Sequence, residues 1–260
     1  MTITSRQNPL VKQLRQLHRA KGRREYDRFL IEGTHLLETA CEVNCSLDTV
    51  CFTDAWGESH PQLREKAAKR AKRLEIVTPA VLAAIATTVH PDGVVATVSQ
   101  ARLKPQLPDL GLGLGLERLQ DPGNLGTILR TSLAAGVDGL WLSHDSTDIE
   151  SPKVLRASAG AGLRLPIAND IDLSATVSAA KGRGIQVIAT TAVAARTYWQ
   201  VDWNCPSLIL LGNEGAGLSP ELLALADQQV SIPVKSGMES LNVAIATALL
   251  VYEAVRQRHH

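Results

Sequence analysis

Residues 116–142 read LERLQDPGNLGTILRTSLAAGVDGLWL. The stretch opens on the end of an apolar strand, Gly113–Arg118, and turns at Asp121-Pro122-Gly123-Asn124. A helix follows over Leu125–Ala135, and Gly139–Leu142 forms a second strand. Turn residues between an apolar run and a helical repeat, with a further apolar run beyond, spell a strand–helix–strand unit. The helix is expected to carry Arg130 inward among Ile128, Leu129 and Leu133. A guanidinium there needs an anionic partner. A structural salt bridge and a bound anion both meet that need.

The alternation continues outward. Lys153–Ala159 reads as helix, Ile185–Thr190 and Ser207–Leu211 as strands, and a helix starts at Pro220. Gln229–Ile232 reads as a strand and Ser240–Arg256 as the last helix. This predicts an open, mostly parallel α/β sheet over residues 110–260, with ligands beyond the carboxyl ends of the strands. Upstream, residues 1–100 predict a smaller α/β domain. Its strands are Phe29–Glu32, Asp48–Thr53, Leu74–Val77 and Val94–Ser99, and its helices Thr34–Val43, Pro61–Lys72 and Pro79–Ala86. Residues 101–109, with Pro105 and Pro108, read as the linker.

The chain has 260 residues, of which 45% are apolar, and Lys+Arg 27 against Asp+Glu 26 leave a net charge of +1. That excludes a polycation and an acidic disordered chain. Nine aromatic residues are few for a protein that reads single strands mainly by stacking. No apolar run reaches the ~18 residues of a spanning helix, and the N-terminus lacks a signal-peptide pattern. A cytoplasmic protein with reduced cysteines and no membrane partner is the expectation. The charge is uneven, however. Within residues 1–31 eight cations, among them Arg6, Lys12, Arg23 and Arg24, face only Glu25 and Asp27. With Leu10, Leu14 and Leu17 at helical spacing, this predicts an amphipathic helix whose basic face contacts phosphate. Arg64–Arg73 is a second basic cluster, equally readable as a solvated helix face.

Several apparent motifs fail on spacing. Gly111, Gly113 and Gly115 do not complete a dinucleotide fingerprint, because Leu116 and Arg118 stand where further glycine is needed. There is no phosphate-binding P-loop. Cys41, Cys45 and Cys51 lack zinc-ligand spacing, so no metal is expected. Two other segments carry chemistry. In 208–234, an apolar strand meets Gly212-Asn213-Glu214-Gly215-Ala216-Gly217, where glycine lets the backbone approach a ligand, and Ser219-Pro220 starts a helix. In 237–257, Ser240 and Asn242 open an apolar helix; capping accounts for Ser240 but leaves Asn242 unexplained.

Together, DPGNLGTILRTS, LGNEGAGLS with IPV, and ESLNVAIA resemble the three motifs of the SpoU (TrmH-type) branch of the SPOUT RNA methyltransferases. SPKVLRASAGAGLRLPI (151–167) is also similar. ITSRQNPLVKQL and FLIEGTHLLETA resemble the L30e-like substrate-binding domain of its ribosomal-RNA members. Thr131-Ser132 and Pro233-Val234-Lys235 depart mildly from the usual motifs and remove no functional group.

The resemblance implies methyl transfer from S-adenosylmethionine to a ribose 2′-hydroxyl of RNA, with 23S ribosomal RNA the favoured substrate. It implies a homodimer and a C-terminal trefoil knot. Asn124, Arg130, Glu214, Ser240 and Asn242 fall at catalytic positions. Gly212, Gly217, Ile232 and Leu241 fall at cofactor positions, joined by Asn213 and by Thr190 at its strand end. Lys153 and Arg156 join the N-terminal cations as RNA contacts. Arginine is too basic to serve as a simple base, so Arg130 would act with an RNA phosphate or with Glu214. The alternatives are a tRNA ribose methyltransferase and a non-catalytic RNA-binding or assembly protein.

Overall fold

The computed structural model describes residues 2–99, 110–235 and 240–259. The expected linker 101–109 lies outside them, as does Glu239 of the third motif. In chain order the elements are α1 (Pro9–Gln16), α2 (Ala20–Tyr26), β1 (Arg28–Glu32), α3 (Thr34–Glu42), β2 (Leu47–Phe52), α4 (Asp54–Ser59), α5 (Pro61–Ala68), β3 (Ala71–Ile76), α6 (Pro79–Ile85) and β4 (Val94–Ser99). There follow β5 (Leu112–Leu116), α7 (Pro122–Ala134), β6 (Gly139–Ser143), α8 (Pro152–Ala157), α9 (Ala161–Arg164), β7 (Ile167–Ile171) and α10 (Leu173–Lys181). The chain ends with β8 (Gln186–Thr190), β9 (Ser207–Leu211), α11 (Pro220–Leu225), β10 (Gln228–Val230) and α12 (Val243–Arg258).

Packing divides these elements into two units, and the division is not a single cut. Residues up to 99 associate with Asp148–Arg164; residues 110–147 associate with those from Leu165 onward. The sequence placed 148–164 with the second part, so this is a departure, and its cause is visible. Leu155 of α8 is fully buried in the apolar cluster of Phe29, Ile31, Leu37, Phe52 and Trp56. Arg156 adds an ion pair to Glu32 at 3.1 Å and a hydrogen bond to the Thr87 hydroxyl at 2.6 Å.

The first unit is a four-stranded sheet in the order β1-β4-β2-β3. β4 is antiparallel to both neighbours, and β2 is parallel to β3. Successive side chains alternate between the faces. Leu30, Cys51 and Val95 meet Leu10, Val11, Leu14 and Leu17 of the N-terminal region and Val81, Leu82 and Ile85 of α6. Phe29, Ile31, Val50, Phe52, Val94 and Ala96 face the opposite layer. Burial pushes the Cys51 thiol up to about 12, which leaves it chemically quiet. The helix expected to reach Lys72 stops at Ala68. The chain turns at Arg70, and Ala71–Ile76 pairs with β2 instead. Lysine and arginine suit a helix by propensity, but strand pairing overrides it, and Lys72 and Arg73 charge an edge strand.

The second unit is a six-stranded sheet in the order β10-β8-β9-β5-β6-β7, parallel throughout. β5 and β9 are buried along their whole length, as strands covered on both faces must be. The glycines of β5 serve packing. A Cβ at Gly113 would lie 2.7 Å from Trp141 Cζ3, and one at Gly115 would lie 2.6 Å from Leu210 Cδ2. From β5 the chain proceeds to β6 and β7 on one side, while β9, β8 and β10 occupy the other. The crevice between the carboxyl ends of β5 and β9 is therefore a topological switch point, where such sheets bind ligands.

Arg23 corrects one expectation. It is 3% exposed, donates through Nε and Nη2 to Asp148 Oδ2 at 3.0 and 2.5 Å, and donates through Nη1 to Leu17 O at 2.8 Å. It ties α2 to the returning 148–164 segment and has no face left for phosphate. Replacing Arg23 by Met is expected to cost about 2–3 kcal/mol of unfolding free energy, since it strands a partly buried carboxylate. Denaturant titration measures this; a loss below about 0.5 kcal/mol would return Arg23 to the surface-cation class.

Candidate functional site

β9 ends in Leu211, and the chain then crosses itself within six residues. Asn213 N–H and C=O both pair with Gly217, at 3.1 and 2.9 Å. Gly217 takes φ 68°, which glycine adopts without strain. A Cβ at Gly212 would stand 2.1 Å from the Gly217 carbonyl carbon and 2.2 Å from Leu218 N, so no other residue fits there. The Asn213 side chain closes the loop. Its Oδ1 accepts from Gly215 and Ala216 N–H at 2.9 Å each, and its Nδ2 donates to Arg118 O at 2.8 Å. Asn213 thus fastens the loop after β9 to the segment after β5.

Glu214, at the loop tip, gathers the first motif. It accepts from Gln120 N–H (3.3 Å), Asp121 N–H (3.2 Å) and Asn124 Nδ2 (3.2 Å). Partial burial alone would push this carboxyl up. The hydrogen bonds from its own backbone N–H, Asn124, Asp121 and Gln120 outweigh burial and hold it below the usual carboxylate range. The other end of the Asn124 amide accepts from Asn242 Nδ2 at 2.9 Å. Asn242 Oδ1 in turn accepts from Ala244 and Ile245 N–H, capping α12. Asn242 is therefore the cap that the sequence assigned to Ser240, and the helix starts at Val243. Three segments distant in sequence meet in one hydrogen-bonded set.

A cleft of about 440 Å³ opens beside this set. Thr190, Gly212, Asn213, Gly217, Ile232 and Leu241 all line it, with Glu214 and Ser240. Every expected cofactor residue thus falls on one cavity. Arg130 differs from expectation, being exposed rather than turned inward. The inner face of α7 is Leu125, Ile128, Leu129 and Ser132, at helical spacing. Arg130 lies off that stripe and has no ion-pair partner among the described residues. Arg6, Lys12, Arg24 and Lys153 are exposed, whereas Arg156 is held by Glu32 and Thr87. One residue at the site carried no sequence signal. Arg118 has a left-handed backbone, φ 53°, and its carbonyl receives the Asn213 side chain.

Residues 111–252 match the model of the SpoU rRNA Methylase family, and residues 8–96 match an MRM3-like substrate binding domain. This chain belongs to the SpoU rRNA methylase family. It is 48% identical over 258 residues (99% of this chain and 94% of the relative) to an uncharacterised tRNA/rRNA methyltransferase of Synechocystis. It is 31% identical to the 23S rRNA (guanosine(2553)-2′-O)-methyltransferase RlmP of Bacillus subtilis, across 96% and 97% of the two chains. Among solved structures, an AdoMet-bound rRNA methyltransferase from Sinorhizobium meliloti superposes with TM-score 0.88 at 34% identity, covering 98% of this chain and 97% of that one. The hydrogen-bonded set and the cleft both lie within the span of the family match.

The Glu214 carboxylate gives a stability test. Its folded-state pKa is depressed, so its contribution is fully present above the unfolded value and is lost as pH falls through the folded one. Replacing Glu214 by Gln is expected to cost about 1 kcal/mol at pH 7. The gap to the parent should begin to narrow below about pH 4.3 and close only once the pH lies below the depressed folded value. Unfolding curves at pH 7 and pH 3.5 for both proteins measure it, and a gap independent of pH would contradict the assignment.

Proposed function

We propose that this chain transfers a methyl group from S-adenosylmethionine to a ribose 2′-hydroxyl of 23S ribosomal RNA. The observation that carries the proposal is the Glu214–Asn124–Asn242 set, whose Glu214 lines the cleft. The names of its relatives point the same way: RlmP is a 23S rRNA 2′-O-methyltransferase, and the Sinorhizobium protein binds AdoMet. The cleft fits the cofactor. Its volume is that of a small-molecule site. It sets apolar Ile232 and Val243 beside the self-crossing glycine loop, which the absence of a side chain at Gly212 allows to close on itself. Thr190, Gly212, Asn213, Gly217, Ile232 and Leu241 would hold the cofactor, and when bound it supplies an electrophilic methyl on a cationic sulfur.

The chain's residues then have defined tasks. Glu214 remains ionised at neutral pH and holds the Asn124 amide in one orientation. With its acceptor capacity already engaged, it is a positioning residue and not a proton acceptor. Asn242 fixes the opposite end of that amide and the start of α12. Ser240, exposed on the cleft wall, offers a hydroxyl toward the ribose. Arg130, exposed and without an ion-pair partner among the described residues, grips an RNA phosphate beside the hydroxyl; positive charge there favours the hydroxyl's deprotonated form, and the proton it releases passes to water. Alignment of the hydroxyl with the methyl group supplies much of the rate. Arg6, Lys12, Arg24 and Lys153 extend the grip on RNA.

The proposal includes a homodimer, a knotted C-terminal segment and an L30e-like first unit. Support for the dimer lies on α12. Ile245, Leu249 and Tyr252, spaced along one face, are 53%, 38% and 49% exposed. Leu133, on the adjacent α7, is 37% exposed. Such a stripe is what an interface leaves bare in a single chain.

Labelled S-adenosylmethionine with unmodified ribosomal RNA, and separately with tRNA, tests the substrate. Label at one 23S ribose is expected. Label only in tRNA would move the substrate, and no label despite cofactor binding would favour an RNA-binding protein. Arg130→Ala should lower turnover by about a hundredfold with cofactor affinity retained; full turnover would remove Arg130 from the mechanism. The double variant Ile245→Asp/Leu249→Asp should run as a monomer by light scattering, and an unchanged dimer mass would reject this face.

A further inference from the structure

We infer that Arg118 is an RNA-contacting residue, whose guanidinium holds a phosphate of the strand at the methyl-transfer site. The inference rests on the methyltransferase reading above and adds to it a residue outside the three motifs. Arg118 follows β5 by two residues, with φ at 53°. Glycine or asparagine takes that conformation with less strain. The backbone is pinned without help from the side chain. Its N–H donates to Ser143 Oγ at 2.8 Å, and its carbonyl accepts from Asn213 Nδ2 at 2.8 Å and Gln120 Nε2 at 3.3 Å. Any residue there could make these bonds, so they give no reason for an arginine.

The side chain also makes little structural use of its charge among the described residues. Its charged contact is a 3.6 Å approach of Nη2 to Glu117 Oε2, an oxygen that already accepts the Ser219 N–H at 2.7 Å. Nε is shielded and has no hydrogen-bond partner among the described residues, yet the side chain as a whole is 39% exposed. A strained backbone therefore holds a guanidinium with one flank sheltered and its outer nitrogens making no hydrogen bond among the described residues, only the long approach to Glu117. It stands beside the segment that carries Gln120, Asp121 and Asn124 to Glu214. A planar cation with unused donors suits a phosphate oxygen pair. RNA supplies that chemistry at every nucleotide.

The test compares the full-length parent with Arg118→Asn and Arg118→Lys. S-adenosylmethionine affinity, affinity for a ribosomal RNA transcript across a salt series, and methyl transfer are measured separately. For Arg118→Asn, thermal stability should be equal or higher and cofactor affinity unchanged. RNA affinity should fall about tenfold, with the slope of log Kd against log salt shallower by roughly 0.7 to 1. Arg118→Lys should restore the slope but not the full affinity. An Asn variant that binds RNA within about twofold of the parent with the same slope would overturn the inference. So would one that loses stability or cofactor binding, because the side chain would then be structural. RNA affinity is read apart from the reaction. A parent that methylates nothing but shows Arg118-dependent RNA binding would defeat the methyltransferase reading and leave this contact standing.

Discussion

Asn124 can take only one orientation, because both ends of its amide are committed. Its Nδ2 faces a carboxylate and its Oδ1 faces the amide of Asn242. Reversal would set Oδ1 against Glu214 and Nδ2 against another NH2 group, two repulsive contacts in place of two attractive ones. The partners lie 90 and 118 residues away along the chain. One amide thus fixes the relative placement of the turn before α7, the loop after β9 and the start of α12. The charge of Glu214 belongs to the same constraint. It sits where the Gln120 and Asp121 N–H groups lead into α7, and a helix N-terminus favours an anion.

The sheet makes that meeting possible. β5 and β9 lie side by side and parallel, so their carboxyl ends open at the same edge. Gly113 and Gly115 leave room on the faces of β5 for the Trp141 and Leu210 side chains, so the sheet packs tightly at its centre. α7 and α12, which pack on each other, both begin near this edge. α7 is capped by Asp121 and α12 by Asn242. Asp121 and Asn242 are therefore cap residues and also neighbours of the site, so the residues that start the helices cannot vary without moving the chemistry. The Gly212–Gly217 crossing adds a wall made of backbone, which a side chain at Gly212 would break.

Much of this was legible in the sequence, for reasons that also mark the limits. Ser207–Leu211 was bounded correctly because a short apolar run between Pro206 and Gly212 has one extended reading. Asn124, Glu214 and Asn242 stood out as polar groups at the edges of apolar elements. Arg130 was misplaced although the signal was present. Residues 125, 128, 129 and 132 are the i, i+3, i+4, i+7 series, and residue 130 falls outside it. Ser132, fully buried, occupies the inner position instead. Other features had no local signal. The partner of Arg23 is 125 residues away. Leu155 enters the first unit's core through packing that sequence spacing does not encode. The left-handed backbone at Arg118 is imposed by Ser143 and Asn213, not by its own residue type.

The arginines show why net charge is a weak guide to what such a protein binds. Arg23 is consumed by Asp148 and Leu17 O, and Arg156 by Glu32 and Thr87. Arg258 donates to the carbonyls of Trp203, Gly111 and Cys205. These guanidiniums hold distant parts of the chain together and contribute little to an external field. Arg24, Arg130, Lys12 and Lys153 are exposed, and it is such groups that displace counterions from a polyanion. A formal charge of +1 is therefore compatible with exposed, locally uncompensated positive charge, provided the carboxylates are drawn inward to the structural cations. Asp148 and Glu32 are drawn in this way, the latter to 7% exposure. Burying the acidic partner with one arginine leaves the next arginine's field uncancelled. Ion pairing inside the fold is in that sense a condition for binding outside it.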